Sequence, residues 1–264
     1  MSSNNDTIQK TFLVAFLLCF VCSILVSGAA VLLKPEQIAN KKLDKQKNIL
    51  AAAGLLDPAK SVDESFKLIE TRIVNLETGR FATEQELAEF NIVADKYDQK
   101  KAAKDPKLSS VLAKSKDKAS IRRLEKFAVI YLVKNEGELD RIVLPVHGYG
   151  LWSTLYGFIA LEGDLNTVIG LGFYEHAETP GLGGEVDNPS WKALWKGKKA
   201  FKDGVARLEV IKGKVDPASS DVAYKVDGLS GATLTSRGVS NLVQFWLGID
   251  AFGPFLNTLK TEGV

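Results

Sequence analysis

The sequence predicts an α+β protein: one N-terminal transmembrane helix, then a soluble domain with an antiparallel sheet and flanking helices. Three observations carry this reading. The run from Thr11 to Leu33, about 23 residues, holds no charge and is long enough to cross a hydrocarbon core of about 30 Å. From Phe127 onward, apolar runs succeed one another across short turns, as strands of an antiparallel sheet do. After Thr233, the residues Val239, Leu242, Val243 and Trp246 stand at i, i+3, i+4 and i+7, an amphipathic helical face. The expected organisation is a tail and transmembrane helix over 1–34, a membrane-proximal helical and charged region over 35–120, and the main domain over 121–264.

Composition narrows the function classes. The chain has 264 residues, 45% hydrophobic and 25% charged, ordinary for one or two globular domains. A net charge of +2 gives no footprint for nucleic acid. The two cysteines, Cys19 and Cys22, both lie in the apolar run, so the rest of the chain has no disulfide and no thiolate metal site. Three apart, they share a helix face and read as small packing residues. Two histidines, His147 and His176, exclude a His-rich metal cluster, and no metal site or side-chain catalytic group is predicted.

Taken in order, the span is a retained anchor. It continues through Ala29–Leu33, beyond the small residues Val26-Ser27-Gly28 where a signal peptidase would cut. Lys34, Lys41, Lys42, Lys45 and Lys47 follow the span and only Lys10 precedes it, so the positive-inside bias puts the main domain in the cytoplasm. Pro35 ends the span or opens a new helix, and Glu36–Ala53 reads as a solvated helix. Gly54 and Asp57-Pro58 punctuate it. Ser65–Val74 is an expected strand. Thr83-x-x-Glu86 is a capping box, with Leu87, Phe90 and Val93 continuing its helix. Asp95–Lys118 mixes Lys and Asp as a solvated loop or surface helix does.

Phe127–Val133 is a buried strand that turns at Asn135-Glu136-Gly137 and pairs back with Leu139–Val146. His147–Trp152 breaks the pattern. Tyr156–Leu161 and Val168–Tyr174 are further strands joined through Gly163-Asp164. Pro189 to Trp195 forms one or two helical turns whose Trp191 and Trp195 share a face and pack. Val205–Lys212 and Ala223–Val226 are expected strands. Gly248 stops the amphipathic helix, and Gly253-Pro254 breaks the chain before a last helix with Leu256 and Leu259.

Two stretches carry chemistry. Asp227–Ser236 sets small residues and hydroxyls just ahead of the amphipathic helix, where free N–H groups and the helix dipole favour a phosphate. Alone, it reads first as a hydroxyl-rich helix cap. His176–Glu185 follows a strand directly. Its Pro180-Gly181 is a tight-turn pair, and its later glycines let backbone approach a ligand closely. It is not a dinucleotide fingerprint, because no parallel βαβ unit surrounds it. Thr233 and Thr235 are both secondary alcohols without a neighbouring base. Chemistry leaves the choice between them open, and esterification of either needs an outside enzyme.

Asp227-Gly228-Leu229-Ser230-Gly231-Ala232-Thr233 resembles the flavinylation signature of the FMN-binding domain family, and Glu178-Thr179-Pro180-Gly181-Leu182-Gly183 resembles that family's second motif. The N-terminal Ser-Asn-Asn-Asp-Thr-Ile-Gln-Lys before a single span, with Leu43-Asp44-Lys45-Gln46 after it, is similar to the C-subunit family of the sodium-translocating NADH:quinone reductases. The resemblance implies an electron-carrier subunit with covalent FMN on Thr233, attached through a phosphodiester by a flavin transferase that uses FAD. It implies that Ser230, Gly231 and Ala232 cradle the phosphate and that Glu178, Thr179, Leu182 and Gly183 line the ring or ribityl chain. Tyr149 or Trp152 could border the ring, although a core role is favoured for each. The implied setting is a six-subunit complex in the bacterial inner membrane that reduces ubiquinone with electrons from NADH and exports sodium. The B, D and E subunits are the implied neighbours, and the flavin domain lies on the periplasmic side, against the lysine bias. The alternatives are the G-subunit of the related Rnf electron-transport complex and a cofactor-free membrane-anchored assembly module.

Overall fold

The computed structural model describes residues 7–263 and divides the chain into two compact units, residues 1–45 and 46–264. The Ser3–Asp6 part of the N-terminal resemblance lies outside the described residues. The helix α1 runs from Ile8 to Ala52, and the first unit holds most of it. Its apolar window has a mean hydropathy of 2.7 and is 0% buried. Phe12, Phe16, Leu18 and Leu32 stand exposed along it. Its length and composition fit a single membrane crossing. Pro35 neither ends nor restarts this helix but lies inside it. Proline there costs a hydrogen bond to the preceding turn, which a long helix can absorb as a bend.

In the second unit, the last turn of α1 belongs to the core: Ile49, Leu50 and Ala52 are buried. Glu36–Ala53 is therefore not solvated throughout: Ile38 is exposed, whereas Ile49 and Leu50 are buried. α2 (Val62–Phe66) follows and takes the place of the start of the strand expected from Ser65. The reason is local: Ser61 caps α2 by accepting from the Glu64 amide at 3.2 Å, and Asp63 and Glu64 fill the first turn. The strand β1 then begins at Ile69 and runs to Asn75, followed by β2 (Arg80–Phe81). α3 (Glu84–Glu89) carries the expected capping box. It stops before Val93 because Asn91 adopts φ 53°. α4 (Gln99–Ala102) and β3 (Ser109–Val111) lie in the charged segment, and β4 (Arg123–Glu125) follows it.

The main strands are β5 (Phe127–Asn135), β6 (Glu138–Tyr149), β7 (Thr154–Glu162) and β8 (Val168–Glu175). With β1 and β2 they form a six-stranded sheet in the order β2-β1-β5-β6-β7-β8, antiparallel throughout. The segment 35–120 thus contributes to the sheet, because β1 pairs with β5 from Ile69↔Val133 to Asn75↔Phe127. The β5–β6 turn sets Glu136 and Gly137 at φ 52° and 91°, the left-handed pair that matches strand twist. β6 does not break at His147: it stays paired with β7 as far as Tyr149↔Thr154.

Both sheet faces are covered. Ile130, Leu132, Ile142, Leu144 and Ile159 face one core, and Val129, Tyr131, Val133, Val143 and Phe158 face the other. Hence Phe127–Val133 is apolar at every position and buried at every position. α5 (Pro189–Ala193), the short strands β9 (Phe201–Lys202), β10 (Val205–Ala206), β11 (Glu209–Val210) and β12 (Lys225–Val226), α6 (Thr233–Trp246) and α7 (Gly253–Glu262) complete the unit. Val205–Lys212 is not one strand. The amides of Arg207 and Leu208 both turn to the Ala200 carbonyl, at 2.9 and 3.4 Å, so β10 pairs with β9 and β11 with β12. Trp191 and Trp195 are buried edge to face, centroids 5.5 Å apart, in the packing role expected of them.

Glu125 is a deeply buried acid in this unit. It is 1% exposed, one carboxylate oxygen accepts from Gln99 Nε2 at 2.5 Å, and Oε2 has no partner among the described residues. Burial raises its pKa from 4.5 to about 7, against the smaller opposite pull of the Gln99 bond. The folded chain therefore binds this proton more tightly than the unfolded chain. The stability it contributes is fully present below pH 4.5 and is lost as pH rises through about 7. Glu125→Gln keeps the neutral shape. Denaturant titrations of the full chain should find the variant equal to wild type near pH 4.5 and more stable by about 3 kcal/mol at pH 8. A gap that does not widen with pH would refute this assignment.

Candidate functional site

The two motifs meet at the start of α6. After β8, the chain passes through His176, whose Nε2 lies 2.8 Å from Asp187 Oδ2 and whose Nδ1 accepts from the Glu178 amide at 3.2 Å. That hydrogen bond fixes the tautomer: Nδ1 is bare and Nε2 carries the proton. Gly181 then turns the loop at φ +74°. On the other side, Trp191 Nε1 donates to the Asp227 carbonyl at 2.8 Å, and the Leu229 amide donates to Ser236 Oγ at 3.0 Å. These bonds hold Asp227–Ala232 against the helix it leads into. Gly231 takes φ +70°, and a Cβ there would lie 2.9 Å from Leu182 Cδ2, so the two motifs touch across this glycine.

α6 opens with Ala232 at its cap position and no side-chain cap. Its first amides lack the cap oxygen that Ser, Asp or Asn would give them. Ser230, Gly231, Thr233 and Leu234 are exposed around them, while Ala232 is buried. The helix sits low on the sheet: a Cβ on Gly238 would come within 2.5 Å of the Tyr149 carbonyl oxygen, so only glycine allows this approach.

The two threonines left open by chemistry occupy opposite environments. Thr233 is exposed on the first turn. Thr235 is 0% exposed, and its hydroxyl donates to Glu178 Oε2 at 2.8 Å. Glu178 is buried too, and it differs from the expected ring-lining residue. Its carboxylate points inward and accepts from the amides of Leu151, Trp152 and Ser153 and from Ser153 Oγ. Burial alone would raise its pKa; the bonds from Thr235, Trp152, Leu151 and Ser153 outweigh that and hold it below the usual carboxylate range. Gly183 is likewise buried behind Thr235, since a Cβ there would lie 2.5 Å from Thr235 Oγ1.

The exposed residues include Thr179 and Leu182 in one motif, Ser230, Gly231 and Thr233 in the other, and Tyr149, Trp152 and Leu234 outside them. Tyr149 and Trp152 are thus not core residues. Arg237, one turn beyond Thr233 on the same helix face and exposed, is a cation that sequence reasoning passed over. The signal was its i+4 spacing. Open amides, a free hydroxyl and exposed aromatic and aliphatic side chains together suit a phosphate ester that bears a flat apolar ring.

Comparison with known proteins agrees. Residues 150–248 match the family described as the FMN-binding domain. The C-subunit of the Na(+)-translocating NADH-quinone reductase of Pseudomonas aeruginosa is 53% identical over 263 residues, covering 98% of each chain. The Vibrio parahaemolyticus counterpart is 48% identical over 266 residues, covering 100% of both. Among solved structures, that of Shewanella oneidensis NqrC superposes with a TM-score of 0.73 at 35% identity, covering 84% of this chain and 99% of that one. The Parabacteroides distasonis C-subunit gives 0.63 at 28% identity, covering 85% and 96%.

Proposed function

The chain belongs to the C-subunit family of the Na(+)-translocating NADH-quinone reductases, and we propose that it serves there as an electron carrier whose FMN is joined covalently, through its phosphate, to Thr233. One observation carries the choice of residue: the Thr233 hydroxyl is open at an uncapped helix start, whereas the Thr235 hydroxyl is buried and committed to Glu178. FMN, when bound, supplies one- and two-electron chemistry that no side chain here can supply.

The residues present fit that group. The amides of the first α6 turn and the Ser230-Gly231 backbone would hold the phosphate, and Arg237 stands exposed one turn further along the helix. Leu182, Tyr149 and Trp152 offer apolar surface for the ring, and Thr179 a hydroxyl for the ribityl chain. In the attachment step, Thr233 Oγ1 forms the new ester bond to the FMN phosphorus of FAD. The diphosphate bond breaks, AMP leaves with the bonding electrons, and the hydroxyl proton is lost. A flavin transferase supplies the base that the site lacks.

The complex reduces quinone with electrons from NADH. In this reading, the B, D and E subunits are the nearest partners, and the flavin domain lies on the periplasmic side. An alkaline phosphatase fused after Val264 should then be active. An inactive fusion would favour the cytoplasmic side that the lysine count suggests. The full-length relatives carry the C-subunit name, which gives the Rnf G-subunit alternative no support. Against the cofactor-free module, the full chain produced with its transferase should fluoresce under ultraviolet light on a denaturing gel. A dark band would overturn the covalent reading.

A further inference from the structure

We infer that Glu178 is a positioning residue: its carboxylate, turned away from the ligand side, locks the Leu151–Ser153 loop to the first turn of α6 and so holds Trp152 where an attached flavin ring meets it. The inference rests on the covalent-flavin reading of this site. Its own evidence is the geometry of the lock.

Oε1 accepts from the Trp152 amide at 3.0 Å, the Ser153 amide at 3.1 Å and Ser153 Oγ at 3.1 Å. Oε2 accepts from Thr235 Oγ1 at 2.8 Å, and the Leu151 amide lies 3.2 Å from both oxygens. Three consecutive amides converging on one point form an anion-binding nest. Here the anion comes from the chain itself, 25 to 27 residues further on. The surroundings leave room for that carboxylate and little else. A Cβ on Gly150 would lie 2.7 Å from Oε1, and one on Gly183 would lie 2.8 Å from Oε2. Ser153 Oγ also accepts from the Ala177 amide at 2.8 Å, tying the same loop to the strand that leads into Glu178.

The Trp152 side chain contrasts with its backbone. The backbone is fixed on both sides, while the indole is 67% exposed. A rigidly held, uncovered aromatic beside an attachment point suits stacking on a flat ring at little entropic cost. Thr235 belongs to the same device. By giving its hydroxyl to Glu178, it ties the loop to the helix that bears Thr233 two residues earlier.

The test uses the full chain in detergent, produced with its transferase, as wild type, Glu178→Gln, Trp152→Ala and the double variant. Attached flavin is read by in-gel fluorescence and its surroundings by visible circular dichroism. Hydrogen exchange at amides 151–153 is read in a Thr233→Ala background that carries no flavin. Attachment should persist in all four proteins. Each single variant should weaken the flavin dichroism, and the double variant should weaken it no further than Trp152→Ala does. Amides 151–153 should exchange about tenfold faster in Glu178→Gln. Unchanged exchange, or dichroism losses that add in the double variant, would overturn the proposal. If Glu178→Gln fails to fold, Thr235→Val takes its place: it removes one donor and keeps the charge, and exchange about tenfold faster is expected. Unchanged amides there would also sink the idea. A wild-type band without fluorescence would refute the flavin reading but leave the exchange result to judge the lock.

Discussion

Thr233→Ala should reduce the covalent flavin signal to background while the chain stays folded. Thr233 is exposed at the first position of α6 and makes no side-chain hydrogen bond that caps the helix. Alanine is well tolerated there, so the melting temperature should match that of unmodified wild-type chain to within a degree or two. Thr235→Val should behave in the opposite way. The attachment hydroxyl survives, but Glu178 loses its donor at 2.8 Å in a site that is 0% exposed at Thr235. Loss of a hydrogen bond to a buried charge costs about 1.5–3 kcal/mol. The pair is read by in-gel fluorescence and by mass analysis of the peptide that spans residues 227–237. Flavin on Thr233→Ala, or its absence from a folded Thr235→Val, would reverse the assignment.

The largest effect on stability is expected from Trp246→Ala. Trp246 is 0% exposed, its Nε1 donates to the His147 carbonyl at 2.6 Å, and its ring packs on His147, Phe245 and Phe252 at centroid distances of 4.8, 5.6 and 5.4 Å. Truncation removes the ring contacts and strips the His147 carbonyl of this donor, a loss of about 3–5 kcal/mol. That is a large share of the roughly 5–15 kcal/mol that holds a domain together. Guanidinium titration of the detergent-solubilised chain should show a lower midpoint with an unchanged slope. Trp246→Phe should recover part of the loss. A cost below about 1 kcal/mol would mean that the α6–sheet contact is not where stability is concentrated.

The elements that could be read from sequence are those whose own residues decide them. The strand at Phe127–Val133, the glycine turn after it and the Thr83 capping box depend on neighbours a few residues away. The misreadings share a different cause. Arg207 and Leu208 interrupt a well-patterned strand because a distant carbonyl, Ala200, claims both amides. Ile49 and Leu50 look too sparse to be core, yet the second sheet face buries them. At the site, the glycines and hydroxyls announced a phosphate-friendly helix start. They did not announce that Glu178 faces inward, because its three backbone donors lie on a loop that only the β6–β7 connection brings near. The choice between Thr233 and Thr235 was open for the same reason.

The bare start of α6 has a thermodynamic consequence. Ala232 forgoes roughly 1 kcal/mol that a capping side chain would contribute. In the proposed reading, the cofactor's phosphate fills that place after synthesis, so maturation restores the missing stability. One kcal/mol changes the ratio of folded to unfolded chains about fivefold. Chains that escape modification would then unfold more often and meet proteases more often, so the pool in the membrane would be enriched in those able to carry electrons.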